Sequence, residues 1–110
     1  MSIIVKNIIP SKTMEAAVTT QYVAVNCTAV IDKFTATNVT ANNAVISVNL
    51  VASGQTPSIN DLLVTSKPIA PGTTYTFPEL VGHVLGIGGF ISTNGTVASL
   101  TIRASGREIT

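Results

Sequence analysis

Two segments of the chain alternate apolar and polar residues with the two-residue period of a β-strand. In ISVNL, Ile46, Val48 and Leu50 occupy every second position, and in LTIRA, Leu100 and Ile102 do the same. Successive side chains of a strand point to opposite faces, so one face of each segment packs on a core and the other meets water or a partner. The alternation therefore predicts antiparallel sheets.

The rest of the chain reads as short strands separated by turn-forming residues. Strand-like stretches cover residues 20–26, 29–38 and 62–69, with clusters of Asn, Thr, Gly and Pro between them. Turn signals recur about every 8–12 residues, which is the spacing typical of all-β sandwiches and barrels. We therefore predict an all-β fold, a single antiparallel β-sandwich or jelly roll, with one short helix near residues 78–85.

The stretch 29–38 departs from strict alternation at Asp32 and Lys33. Ile31 and Phe34 are both apolar but lie three positions apart, so a regular strand points them to opposite faces. A β-bulge at Asp32 and Lys33 returns both side chains to the core. We predict such a bulge in this strand.

The segment PELVGHVLGIGGF carries the helix prediction. Pro78 suits the first position of a helix, and Leu80 and Val84 recur at helical spacing. Gly86 stands where a left-handed residue often ends a helix. The later glycines then indicate a turn into the next strand.

Two dipeptides predict hairpins. Pro71-Gly72 suits the central positions of a type II turn and predicts a hairpin between residues 62–69 and 73–77. Asn94-Gly95 is a strong signal for a two-residue hairpin turn, here between the strand GFIST and residues 97–105.

Composition limits the functions open to the chain. Its 110 residues indicate one domain, and only 10% of them are charged, where about 25% is usual. The net charge is +1, and its six basic residues are scattered, so the electrostatic footprint of a nucleic-acid-binding protein is missing. The start, MSIIVKNIIP, has neither a basic region nor a long apolar run, and we expect no signal peptide and no membrane span.

The residues that carry chemistry do not form a recognisable motif. His83 is the only histidine and Cys27 the only cysteine, so a metal site lacks companions and no disulfide can form within the chain. The GIGG run lacks the spacing of a phosphate-binding loop. We expect His83 to be solvated or at a contact and Cys27 to be a buried apolar residue, with no catalytic residue, no cofactor and no metal. The sequence thus predicts a protein that is not an enzyme.

The N-terminal segment is apolar and precedes the strand-rich body. We divide the chain into an N-terminal arm or edge strand, residues 1–20, and a β-sandwich domain, residues 21–110. The apolar residues of the segment could dock on another subunit, and the charged residues near the end of the chain could add polar contacts. The candidate subunit contacts are Ile3, Ile4, Val5, Ile8, Ile9, Arg103, Arg107 and Glu108.

In their order along the chain, these motifs resemble the small β-sandwich virion structural proteins of tailed bacteriophages. The matching pieces, which span most of residues 29–109, are AVIDKFTATN, SVNLVASG, IAPGTTYTFPELVGHVL, GGFIST and LTIRASGREI. Gly89 departs from the aspartate-like residue that such proteins are expected to carry near this position.

The resemblance implies a structural role in the virion, in a protein made in the host cytoplasm. The first expectation is a decoration or cement protein that stabilises the head by contacts with the major capsid protein or other virion proteins, as a homo-oligomer, either a dimer or a trimer. The second is a neck, tail or fibre-attachment component. A third reading, from a different class, is a carbohydrate-binding β-sandwich, which needs exposed aromatic rings.

Overall fold

The computed structural model describes residues 1–96 and 100–110, and these form two antiparallel sheets packed face to face. The strands, numbered in chain order, are β1 (Ile3–Thr13), β2 (Thr19–Val23), β3 (Thr28–Asn38), β4 (Ala44–Val51), β5 (Leu62–Ile69), β6 (Thr74–Tyr75), β7 (Val84–Leu85), β8 (Phe90–Gly95) and β9 (Leu100–Ile109). The predicted all-β sandwich is confirmed.

The two sheets divide the strands without regard to their order in the chain. The five-stranded sheet runs β1-β9-β3-β6, with β7 also paired to β3, and the four-stranded sheet runs β2-β8-β4-β5. Consecutive strands therefore often lie in different sheets, and the connections between them cross the sandwich.

The core lies between the sheets and is filled from the inward positions of both. Phe34 and Phe77 pack edge to face, with ring centroids 4.8 Å apart. Leu100 and Ile102 are fully buried, as their alternation predicts. Cys27 is buried as well, in agreement with the apolar role expected for it.

The predicted bulge in β3 is confirmed. The register of β3 against β9 shifts between Ile31 and Lys33, and both Ile31 and Phe34 are fully buried. The extra residue turns Asp32 outward, where its carboxylate is exposed.

The predicted helix at 78–85 is wrong. Two successive tight turns replace it, with Leu80 N donating to Phe77 O at 3.0 Å and His83 N donating to Leu80 O at 3.2 Å. A helix this short is costly to nucleate, and Gly82 has a φ of 87°, which no right-handed helix contains. The main chain pairs with β3 instead, since Gly82 N donates to Ile31 O at 2.7 Å.

Both predicted hairpins are also wrong. Pro71-Gly72 does form a tight turn, with a φ of 70° at Gly72, but β5 pairs with β4 and β6 pairs with β3, so the turn joins the two sheets. Asn94-Gly95 continues β8 against β4. Residues 97–99, assigned to the second strand of that hairpin, lie outside the described residues.

The N-terminal segment belongs to the five-stranded sheet of this same domain. β1 pairs with β9 along its length and forms one edge of the sheet. Ile8 and Ile9 are buried in the core, so these two of the expected subunit contacts pack within their own chain. Only the first half of β1 presents apolar side chains to solvent.

The burial of Leu100 gives a test of the packing. We expect Leu100→Ala to lower the free energy of unfolding by about 2–5 kcal/mol, because the truncation leaves a cavity in a closely packed core. The matched control is Val39→Ala, at a loop position whose side chain is 70% exposed. Urea denaturation of the three proteins measures the difference, and equal stability of the two variants would contradict the burial of Leu100 in the core.

Candidate docking surface

The outer face of the five-stranded sheet carries an apolar strip at one end. The registers place Val5, Arg107, Val30 and Val84 in one row across β1, β9, β3 and β7. Residues that lie directly opposite on neighbouring strands share a face of the sheet. Val5 is 80% and Val84 58% exposed, although both side chains are apolar.

A second row extends this surface. Ile3 on β1 lies opposite Ile109 on β9, which lies opposite Thr28 on β3. Ile3 is exposed, and Ile109 and Val30 are partly exposed. The name apolar strip refers here to Ile3, Val5, Val30, Val84 and Ile109. Arg107 stands between Val5 and Val30, so the strip is a set of apolar side chains on both sides of one charged residue, and exposed apolar residues grouped in this way favour an interaction site.

An ion pair crosses the strip and neutralises its charges. Arg107 donates through Nε to Asp32 Oδ2 at 3.0 Å and through Nη2 to Asp32 Oδ1 at 2.9 Å. Hydrogen bonds to Asp32 raise the pKa of Arg107 above its ordinary range. Both side chains are partly exposed, so the pair contributes little to stability. Its effect is to cancel one charge with the other on this surface.

The other half of the same sheet face is polar. Thr35 on β3 lies opposite Arg103 on β9, and Arg103 Nη1 donates to Ser11 Oγ on β1 at 3.2 Å. Arg103 and Arg107 are four residues apart on one strand, which is about 13 Å. Of the expected contacts, Arg103 therefore belongs to a neighbouring hydroxyl-rich area rather than to the strip.

Glu108 points into the sandwich. Its Oε2 accepts a hydrogen bond from the Tyr22 hydroxyl and lies 3.3 Å from Lys6 Nζ, and its side chain is only 15% exposed. The hydroxyl of Tyr22 is the main cause that lowers the pKa of Glu108, and burial is the main cause that raises the pKa of Tyr22. Glu108 thus ties β9 to β2 and holds Lys6 beside the edge.

The structure brings Ile3, Val5 and Arg107 together, with Ile4 beside them on β1. Sequence reasoning missed Asp32 and Val84. The outward turn of Asp32 follows from the predicted bulge and could have been inferred. Val84 was assigned to a helix, and nothing in the sequence indicates its pairing with Val30.

The glycine-rich segment is held against the end of β2 by backbone hydrogen bonds. Gly88 N donates to Ala24 O at 2.7 Å, and Ala24 N donates to Gly89 O at 2.9 Å, which fastens the segment to the end of β2. His83 is exposed, and its carbonyl oxygen accepts from Ile31 N at 3.0 Å.

An open pocket of about 420 Å³ lies between the end of β4 and the segment that contains β7. Leu50, Val51, Leu85 and Ile87 supply most of its apolar lining, and the described residues that line it carry no ionisable side chain. Within residues 1–96 and 100–110, no three His, Cys, Asp or Glu side chains cluster closely enough to hold a metal ion. The helical part of these residues is a single 3₁₀ turn, Ile59–Asp61, and no helix among them has the length and hydropathy needed to span a membrane.

No family model, curated protein or solved structure matches this chain.

The part-buried hydrogen bond between Tyr22 and Glu108 predicts a pH dependence of stability. The folded protein lowers the pKa of Glu108 below its ordinary 4.5, so the stabilisation is fully present above that pH and is lost as the pH falls through the folded value. We expect Tyr22→Phe to lower the free energy of unfolding by about 1.5–3 kcal/mol near pH 7 and by less near pH 3.

Tyr75→Phe is the matched control. Its hydroxyl donates to Glu79 Oε2 at 2.8 Å, but this contact is exposed, so a smaller loss is expected. Denaturant titrations at both pH values measure the differences. A Tyr22→Phe deficit that stays the same at low pH would contradict the role given to Glu108.

Proposed function

We propose that this chain is a structural protein of a bacteriophage virion, and that it decorates the head by docking on the major capsid protein through the apolar strip. The assignment to a phage comes from the resemblance of its ordered motifs to small virion β-sandwich proteins. The assignment of the docking surface comes from the row that contains Val5, Val30 and Val84, in which Val5 and Val84 are exposed and Val30 is partly exposed, and this row is the observation that carries the proposal.

The chemistry of the strip supports a protein partner. Its charged pair, Arg107 and Asp32, is already joined within the chain, so an apolar partner surface leaves neither charge uncompensated when it covers them. The hydroxyl-rich area around Thr35 and Ser11 continues the same sheet face. Interfaces commonly join an apolar centre to a polar rim, and this face offers both.

The size of the domain favours a broad contact. The molecule measures 46 × 27 × 20 Å along its principal axes. A stable interface buries about 800 Å² on each partner, which is much of the roughly 1,200 Å² that the broad face projects. The proposed interface therefore extends beyond the apolar strip into the rest of this sheet face.

The aromatic residues argue against the carbohydrate-binding alternative. Phe34 and Phe77 are fully buried, and Tyr22 is 8% exposed. Tyr75 packs edge to face on Phe77, with ring centroids 4.7 Å apart, and Phe90 is partly buried. Sugar rings stack on exposed aromatic faces, and the inward packing of these side chains leaves little area for that contact.

Antibody labelling of virions from the phage that encodes the chain tests the location. We expect gold label over the whole head and a copy number in the hundreds by quantitative mass spectrometry. Label at a single vertex with few copies would move the protein to the neck, tail or fibre attachment. Virions that lack the protein would overturn the proposal.

A charge placed in the strip should weaken docking. We expect Val84→Asp to reduce binding to heads that lack the protein by at least about tenfold, because the carboxylate is buried without a partner. Ile59→Asp is the matched control, because Ile59 is also exposed (87%) but lies on the turn before β5, beside the other sheet, and this variant should bind nearly as the wild type does. Sedimentation of heads with bound protein measures both, and equal loss in the two variants would contradict the role of the strip.

A further inference from the structure

The outer edge of β1 presents backbone groups in a defined order. Ser2 N donates to Thr110 O at 3.0 Å, and Thr110 N donates to Ser2 O at 2.9 Å, so these two residues form a reciprocal hydrogen-bonded pair. In an antiparallel ladder such pairs alternate with pairs whose backbone groups point away. Ile4 and Lys6 therefore bond toward β9, whereas the N–H and C=O groups of Ile3 and Val5 point to the outer side.

Among the described residues, no strand lies on that outer side, because β1 is the terminal strand of its sheet. Ile3, Ile4 and Val5 also lack the devices that normally keep an edge from pairing, and the charge of the adjacent Lys6 is paired with Glu108. The register of β1 against β9 is regular from Ile3 to Lys6, and the bulges come only after Lys6. Pro10 and Lys12 protect the second half.

The side chains of this unprotected half suit a neighbouring strand. Ile3, Ile4 and Val5 are all β-branched, and each is more than half exposed. Cross-strand pairs of β-branched residues stabilise antiparallel sheets. The edge thus combines unpaired backbone groups with apolar side chains over the same few residues.

We infer that this half of β1 pairs antiparallel with the same segment of a second copy, across a two-fold axis that passes between the two Ile4 residues. In this register Ile3 of each copy faces Val5 of the other, and these are the residues whose backbone groups point outward. Two reciprocal hydrogen-bonded pairs then form beside a central pair of Ile4 residues.

The charges favour this register over its neighbour. With the axis at Ile4, each Lys6 faces Ser2 of the second copy, and the two lysines are four residues apart, about 14 Å along the strands. That distance exceeds the screening length in physiological salt, about 8 Å. With the axis at Val5, the lysines are diagonal neighbours about 7–8 Å apart and repel each other.

A second copy fits this edge better than an unrelated strand, because the segment is complementary to itself. Under the two-fold axis every exposed apolar side chain of one copy meets an apolar side chain of the other. The axis is perpendicular to the sheet, so both apolar strips lie on the same side of the dimer and meet at Val5 and Ile3. The dimer is expected to form from the purified chain alone, and the inference does not rest on the proposed function.

Position-specific crosslinking tests the register. The central Ile4 residues form a non-hydrogen-bonded pair with Cα atoms about 4.5 Å apart, which a disulfide can bridge. We expect Ile4→Cys to form a covalent dimer on mild oxidation, and Val5→Cys, whose two copies are about 7–8 Å apart, to form little. The wild-type chain, whose only cysteine is buried, is the control. Efficient crosslinking of Val5→Cys in place of Ile4→Cys would overturn the register.

A backbone variant tests the hydrogen bonds. Val5→Pro removes an N–H that points away from β9, so it spares the ladder within the chain and removes one bond from each side of the dimer. We expect it to raise the dimer dissociation constant at least about tenfold. Val5→Thr keeps the N–H and a β-branched side chain and should dimerise nearly as the wild type does.

Analytical ultracentrifugation measures the dimerisation, with thermal unfolding followed by circular dichroism to show that each variant is folded. Wild-type protein that stays monomeric at high micromolar concentration would overturn the inference. So would a dimer that Val5→Pro leaves intact. Either result concerns the purified chain, and neither depends on where the protein lies in a particle.

Discussion

The double pairing of β9 holds the molecule together. This strand lies between β1 and β3 in the five-stranded sheet and sends Leu100, Ile102 and Ala104 into the core from alternate positions. Its register fixes which residues of β1 and β3 lie beside one another in that sheet. It places Arg107 between Val5 and Val30, and it turns the backbone groups of Ile3 and Val5 to the outside.

The bulge in β3 adjusts this arrangement at its centre. It returns both Ile31 and Phe34 to the core and leaves Asp32 on the surface, within reach of Arg107. The partner position on β9 is Gly106, where an added Cβ would clash with the carbonyl oxygen of Val30. The bulge and this glycine therefore belong together, because the backbone of β3 approaches β9 too closely for any side chain.

The sequence was informative where one strand's own periodicity decides the outcome. Alternation placed Leu100 and Ile102 in the core, and its interruption located the bulge at Asp32. The errors came from segments whose structure depends on distant partners. Asn94-Gly95 has the local preference of a hairpin turn, but its pairing with β4 keeps it extended. Residues 78–85 have apolar residues at helical spacing, but backbone hydrogen bonds to Ile31 hold the segment in another conformation.

The docking surface was predictable only in part for the same reason. Ile3, Ile4, Val5 and Arg107 were singled out from their positions near the two ends of the chain. Ile8 and Ile9 are buried because β1 pairs with β9. No local pattern in the sequence indicates that pairing. The exposure of Val84 depends on a strand of two residues, too short to leave a periodic signal.

The pairing of the first strand with the last has a consequence for how the chain acquires its structure. β1 leaves the ribosome before β9 has been synthesised, so the ladder between the two strands cannot form until then. Contacts between residues far apart in sequence also close slowly, because a long loop must be ordered first. During that interval the apolar start of the chain has no sheet to join, which makes nascent molecules vulnerable to premature association with one another.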